Sequence, residues 1–171
     1  MPLAAAVSFL LGAGELDISL GANIILSSVL GGTAMAAVSS SAEFGVYHHV
    51  ALGIVTGLLV CVATGATVGL VNGLIVTKMK VNSFITTLGT LGIATGIADI
   101  VSNGQDLASI PNTLQLDFGV RAVGGLLPYP AIVGILLVGA LWLVVTYTRY
   151  GVHTLSLGSS RQAAHRAGLK V

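Results

Sequence analysis

The chain has 171 residues, of which 54% are hydrophobic and only 8% charged, with seven Lys/Arg against six Asp/Glu for a net charge of +1. An ordinary soluble domain is roughly 25% charged, and at a mean hydropathy of +0.97 too few charges remain to coat a soluble core. Soluble classes are thereby excluded, and the composition predicts an all-α polytopic integral membrane bundle. The net charge itself says nothing about nucleic acid, which is not an expected partner; the uneven distribution of the charges matters more.

The first residues, 2–11, are apolar but fall short of the ~20 that a spanning helix needs, so they read as the end of a helix rather than a whole span. They also lack the positive n-region of a cleavable signal peptide. A polar break follows at residues 12–19, containing Glu15, Asp17 and Ser19. Asp17 or Ser19 is placed to cap the next helix, because a short oxygen side chain satisfies its free N–H groups. That helix, residues 20–38, is long enough to span. A polar connection with Glu43 leads to a second run, residues 50–77, which at 1.5 Å per residue reaches ~42 Å against a ~30 Å hydrocarbon core and must tilt, bend or protrude. Lys78 and Lys80 end it. A third span covers residues 83–101. Residues 102–127 are polar, with Asn103-Gly104, Pro111-Asn112 and Gly124-Gly125 as turn signals. The last span, 128–147, carries Trp142 and Tyr147 at a depth that suits a membrane interface. The expectation is about four full transmembrane helices plus a partial N-terminal one, in a transmembrane part at 1–147 and a basic segment at 148–171.

That segment holds Arg149, Arg161, Arg166 and Lys170 and no acid. Alternation of the spans puts the Lys78/Lys80 turn on the same side, so six of the seven Lys/Arg lie there and Arg121 alone lies opposite. The positive-inside rule then places the segment in the cytoplasm.

Small residues recur at every fourth position of the long span: Gly53, Gly57, Cys61, Gly65, Gly69 and Gly73. A step of four overshoots a helical turn by about 40°, so Gly53/Gly57/Cys61 and Gly65/Gly69/Gly73 fall on nearly opposite faces. Such rows let helices approach closely in lipid, which predicts that this helix sits between neighbours; Gly92 and Gly96 repeat the pattern once in the next span.

Catalytic chemistry is sparse. Asp99 near a span end is as compatible with simple solvation as with function. His48-His49 has no third ligand at a metal spacing, and Cys61 in an apolar run suits neither a disulfide nor a metal site. Ser19 and Ser156 sit in no nucleophile elbow, and no phosphate-binding loop occurs. No catalytic residue, cofactor or metal is expected.

Within the basic segment, Gly158-Ser159-Ser160-Arg161-Gln162 reads as a helix start with Ser159 as N-cap and Gln162 completing a capping box. Ala163, Ala164 and Ala167 favour helix around Arg166, and Gly168 is a natural stop. About two turns result, marginal alone in water. The small Ala face suits insertion into a groove on another protein, while a basic segment lying on anionic membrane lipid, or a frayed tail, stays open as the alternative.

Four blocks, GELDISLG (14–21), GLVNGLIVTK (69–78), VNSFITTLG (81–89) and TRYG (148–151) continuing through LGSSRQAAHRAGLKV (157–171), occur in order along the chain. Together they resemble the ribose-type sugar permeases of bacterial ATP-binding-cassette importers. The resemblance implies a multi-pass subunit of the plasma (inner) membrane for a monosaccharide or related small polar solute. It also implies a second permease subunit, a periplasmic substrate-binding protein and cytoplasmic ATPase subunits, which hydrolyse the ATP and dock on the helix mapped to residues 157–168. The mechanism implied is alternating access driven by ATPase closure. Two departures stand out: Gly158-Ser159-Ser160 replaces the usual Gly-Gly-Asn, and Val152 stands where the family has a base. The family chain is also considerably longer, so this one reads as a partial chain. A secondary transporter or channel without an ATPase, or a non-transporting fragment, is the alternative.

Overall fold

The computed structural model describes residues 2–39, 48–105, 114–166 and 168. Glu43, Asp106, Pro111-Asn112, Ala167 and Lys170 lie outside the described residues, as do the side chains of Asp117, Arg161 and Ala163. Hydrocarbon offers the backbone no hydrogen-bond partner, so chain at membrane depth must satisfy its N–H and C=O groups within helices. The apolar runs fold accordingly into α1 (Pro2–Gly12), α2 (Leu20–Ser39), α3 (Val50–Lys78), α4 (Ser83–Ser102) and α5 (Tyr129–Tyr147). Helices α2 to α5 are long and apolar enough to cross a membrane; α1, with 11 residues, is not. Between α4 and α5 come a π-helical turn, Leu114–Val120, and a hairpin of β1 (Ala122–Val123) and β2 (Leu127–Pro128), in which Val123 pairs with Leu127. Gly124 and Gly125, both at positive φ, make its turn. Two further helices, α6 (Arg149–Ser159) and α7 (Arg161–Arg166), follow α5.

The chain forms two compact units, residues 18–118 and residues 1–17 with 119–171. Within the second of these units α6 packs on both α5 and α1.

In the unit of residues 18–118, α2 and α3 run antiparallel in one continuous register. A Cβ added to Gly53 would meet Ser39 Cβ at 2.8 Å, and one on Gly57 would meet the Gly31 carbonyl at 2.9 Å and Met35 at 3.0 Å. Farther along, Cys61 fills the space above Gly31 and directs its Sγ at the Ser27 carbonyl, and Asn23 Nδ2 reaches the Gly65 carbonyl at 3.4 Å. Helix α4 lies parallel to α2 and touches α3 as well. Ala22 and Leu26 are buried against Ala94 and Ala98, with Val29, Leu30, Val68 and Leu91 around them.

The packing follows the sequence expectation only in part. Helix α2 is more buried than α3, although α3 also touches both α2 and α4. Moreover Gly69 and Gly73 are exposed with open space around them, as is Gly92, and nothing comes near Gly96. The cause is helical pitch. A contact stripe must average about 3.6 residues per step, so beyond Cys61 the contact positions of α3 are the half-buried Val68 and the buried Asn72, each one residue ahead of the glycine row. On α4 the same correction selects Thr87, Leu91, Ala94 and Ala98.

Overpacking a tight contact costs roughly 1–3 kcal/mol. Gly57→Val should lower the unfolding free energy of the purified protein in detergent by about that amount, while Gly73→Ala, in open space, should not lower it; equal losses would show that the register drawn here is wrong.

Candidate functional site

Two groupings of polar residues stand out, one in each unit. The first is a buried hydrogen-bonded layer joining α2, α3 and α4. Asn72 Nδ2 donates to Ser19 Oγ at 2.9 Å, and Thr90 Oγ1 donates to Asn72 Oδ1 at 2.7 Å. The same Thr90 hydroxyl lies 2.6 Å from the Thr86 carbonyl, so two acceptors compete for one proton. Beside them Thr87 Oγ1 accepts from the Ile18 N–H at 3.3 Å and donates to the Phe84 carbonyl. Ser19, Thr87 and Asn72 are only 1%, 3% and 5% exposed. Among the described residues no buried side-chain nitrogen or oxygen lacks a partner. A satisfied, uncharged layer of this kind can hold helices in register; it presents no acid, base or nucleophile for chemistry.

Of the residues singled out in the sequence, Ser19 belongs to this layer. It directly precedes α2, its carbonyl accepts the Asn23 N–H at 2.8 Å, and its hydroxyl is taken by Asn72. Glu15 and Asp17 are half-buried in the segment between α1 and α2. Asn72 and the three threonines were missed in the sequence reading. The available signal was an amide six residues before the Lys78 end of a span that is otherwise free of strong polar groups. Asp99 is exposed on α4, and His49, at φ 52°, is the residue before α3 and makes no side-chain cap. Among the described residues no three His, Cys, Asp or Glu side chains come together.

The second grouping is the α6–α7 pair. The chain leaves α5 through Thr148, whose hydroxyl donates back to the Val144 carbonyl and accepts the Gly151 N–H at 3.4 Å. Gly151 is buried, and a Cβ there would fall on the backbone of Val145. The Thr148-Arg-Tyr-Gly151 block is therefore a sharp corner: Thr caps α6 and only Gly allows α6 to fold back so tightly. Helix α6 ends at Ser160, which is extended at φ −161° and ψ 109°. Its carbonyl accepts the Ala164 N–H at 3.0 Å.

The expected capping box is accordingly shifted. Ser159 is the last residue of α6 and Ser160 occupies the N-cap position of α7, which puts Ala163 and not Gln162 at the third helical position. Two adjacent serines can both cap, and the extended break selects the second. Ala164 is 4% exposed within a pair in which α7 packs on α6, whereas Gln162, His165, Arg166 and Gly168 are exposed. Gly158 is half-buried and Ser159 exposed.

Residues 3–171 match the family described as "Branched-chain amino acid transport system / permease component". The chain is 34% identical over 99% of its length to the L-arabinose ABC transporter permease protein AraH of Azospirillum brasilense, covering 45% of that protein. It is 29% identical over 99% of its length to the ribose import permease protein RbsC of Bacillus subtilis, covering 48% of it. Over 69% of its length it is 39% identical to the xylose/arabinose import permease protein XylH of Sulfolobus acidocaldarius, covering 32% of that protein. The chain thus spans less than half the length of these curated relatives. No solved structure matches it.

Interhelical hydrogen bonds within membranes contribute about 0.6 kcal/mol each on average and up to about 1.7. Asn72→Ala removes two of them and should cost about 1–2 kcal/mol. A Ser19→Ala/Asn72→Ala cycle in detergent unfolding should show a positive coupling energy, and strict additivity would show that the Ser19–Asn72 bond contributes nothing.

Proposed function

The chain belongs to the permease-component family of branched-chain amino acid transport systems, and on that premise we propose that it is a membrane-spanning permease component of an ATP-binding-cassette importer for a monosaccharide or related small polar solute. The observation that carries the reading is the unbroken likeness of the chain, terminal α6–α7 pair included, to permeases named for arabinose and ribose import. Permeases named for fructose and galactose import match most of it as well. Four apolar helices supply the membrane-crossing part.

In this reading α6–α7 faces the cytoplasm of a plasma (inner) membrane, a placement supported by the six Lys/Arg gathered on that side. Cytoplasmic ATPase subunits engage α7, a second permease copy or homologue completes the pathway, and a substrate-binding protein delivers solute from the opposite side. ATP hydrolysis belongs to the ATPase, since the chain has no phosphate-binding loop. Closure of the ATPase pair displaces α7 and thereby drives alternating access. The engaging face is the exposed one, Gln162, His165 and Arg166, rather than the Ala side. Ala164 has the other task of seating α7 on α6.

The direct test is uptake of labelled arabinose, ribose, fructose and galactose into cells lacking their own sugar permeases, with the complete permease supplied together with its ATPase and binding protein. ATP-dependent uptake of at least one sugar is expected. Uptake that persists without the ATPase would instead identify a secondary transporter or channel. At the docking face, Arg166→Glu should weaken ATPase binding to the purified permease by about tenfold or more while leaving its thermal stability unchanged. Ala164→Glu, by burying a carboxylate, should lower stability and binding together.

A further inference from the structure

The two terminal segments of the unit formed by residues 1–17 and 119–171 meet backbone to backbone. Helix α1 closes in a tight C-terminal turn: the Ala13, Gly14 and Glu15 N–H groups donate to the Phe9, Leu11 and Leu10 carbonyls at 3.0, 3.0 and 3.1 Å, with Gly14 at φ 79°. The last turn of α6 lies directly on this turn. A Cβ on Gly158 would fall on the Gly12 carbonyl oxygen and within 2.7 Å of the Ala13 carbonyl carbon, and one on Gly14 would lie 3.3 Å from Gly158 Cα. A Cβ on Gly12 would meet Leu155 Cδ2 at 2.8 Å. At the other end of α6, the Tyr150 ring sits 6.1 Å from that of Phe9. Helix α6 is thus fastened to α1 at both ends.

We infer that Gly158 is a positioning residue for transport, whose backbone contact with Gly12–Gly14 makes α6 and α1 move as one rigid piece when α7 is displaced. The inference rests on the reading of α7 as the ATPase contact. Its physical basis is that side chains can absorb a displacement by changing rotamer, whereas touching backbones cannot. Gly158 stands only two residues before the extended break at Ser160, so it fixes the base of α7. A push on α7 is therefore delivered to α1 as well as to α5, with no compliant layer between. Any side chain at 158 separates α6 from α1 by about an ångström or more, because the contacting atoms are backbone.

The test compares wild type, Gly158→Ala and Ser159→Ala in proteoliposomes holding the complete permease with its ATPase and binding protein. The readouts are ATPase affinity, ATP turnover and sugar moved per ATP. Gly158→Ala should keep ATPase affinity within about twofold and continue to turn over ATP, while sugar moved per ATP falls about tenfold; Ser159→Ala should match wild type. Wild-type sugar per ATP in Gly158→Ala would overturn the inference, and so would a parallel loss of affinity and transport, which marks a structural role only. A wild type that binds no ATPase overturns the reading of α7 and this inference with it. Independently of how Gly158→Ala folds, a Gly12→Cys/Leu155→Cys pair in a Cys61→Ser background should retain sugar per ATP within about twofold when oxidised, because the linked helices move together already. Loss on oxidation that is restored by reductant would show that they must slide, and would overturn the inference.

Discussion

The hydrogen-bonded chain from Ser19 through Asn72 to Thr90 is the constraint on which the arrangement of residues 18–118 depends. In lipid, apolar contact alone gives helices little reason to prefer one register over another, because tails and leucines are equally greasy. Most hydroxyls in the spans avoid the question by bonding their own helix: Thr56, Thr67, Thr77 and Thr95 all return to carbonyls three or four residues back. Asn72 has no such option, since an amide carries two donors and an acceptor. It must find partners on other helices, and it finds one on each side. The α2–α3 backbone approach at Gly31, Gly53 and Gly57 lies in the same register as the amide's bonds.

Close approach and charge are the two properties that give the remainder its character. Glycine and alanine remove the side-chain layer where backbones touch, at the α2–α3 seam, at the α5–α6 corner and where α6 meets α1. The basic residues instead collect beyond the apolar spans, at Lys78 and Lys80 and from Arg149 onward. The same chain thus separates rigid internal contacts from a polar, basic face.

Much of the fold was legible because its cause is local in sequence. Span lengths, the turn at Gly124-Gly125 and the close-packing role of Gly53 and Gly57 all follow from residue type and spacing. What was misread depends on neighbours. Spacing by four says that Gly69 and Gly73 permit approach, but the helical pitch carries them off the face where α2 lies, and only the fold shows Val68 and Asn72 taking over. Asn72 was hidden by its nearness to Lys78, where a polar residue passes for the frayed end of a span. At the terminal segment, two consecutive serines satisfy the same capping rule, and a two-turn helix carries too few residues to reveal which side is buried. Ser160 and Ala164 were therefore fixed by the packing of α7 on α6.

The antiparallel seam of α2 and α3 also bears on how the protein is made. Two of its close contacts, Ser39 with Gly53 and Met35 with Gly57, join residues near the connection between the two helices, and the seam then extends outward to Ser19 and Asn72. Contacts so near in sequence form fast, because little loop entropy is lost in closing them. The hairpin can zip from its closed end as soon as α3 has been synthesised, while α4 is still in the ribosome. Helix α4 then docks on α2 and α3, and Thr90 completes the amide's bonds. Synthesis from the N-terminus thus presents the hydrogen-bonding groups in the order in which they pair, and Asn72 waits for its last partner only during the few tens of residues that separate α3 from the end of α4.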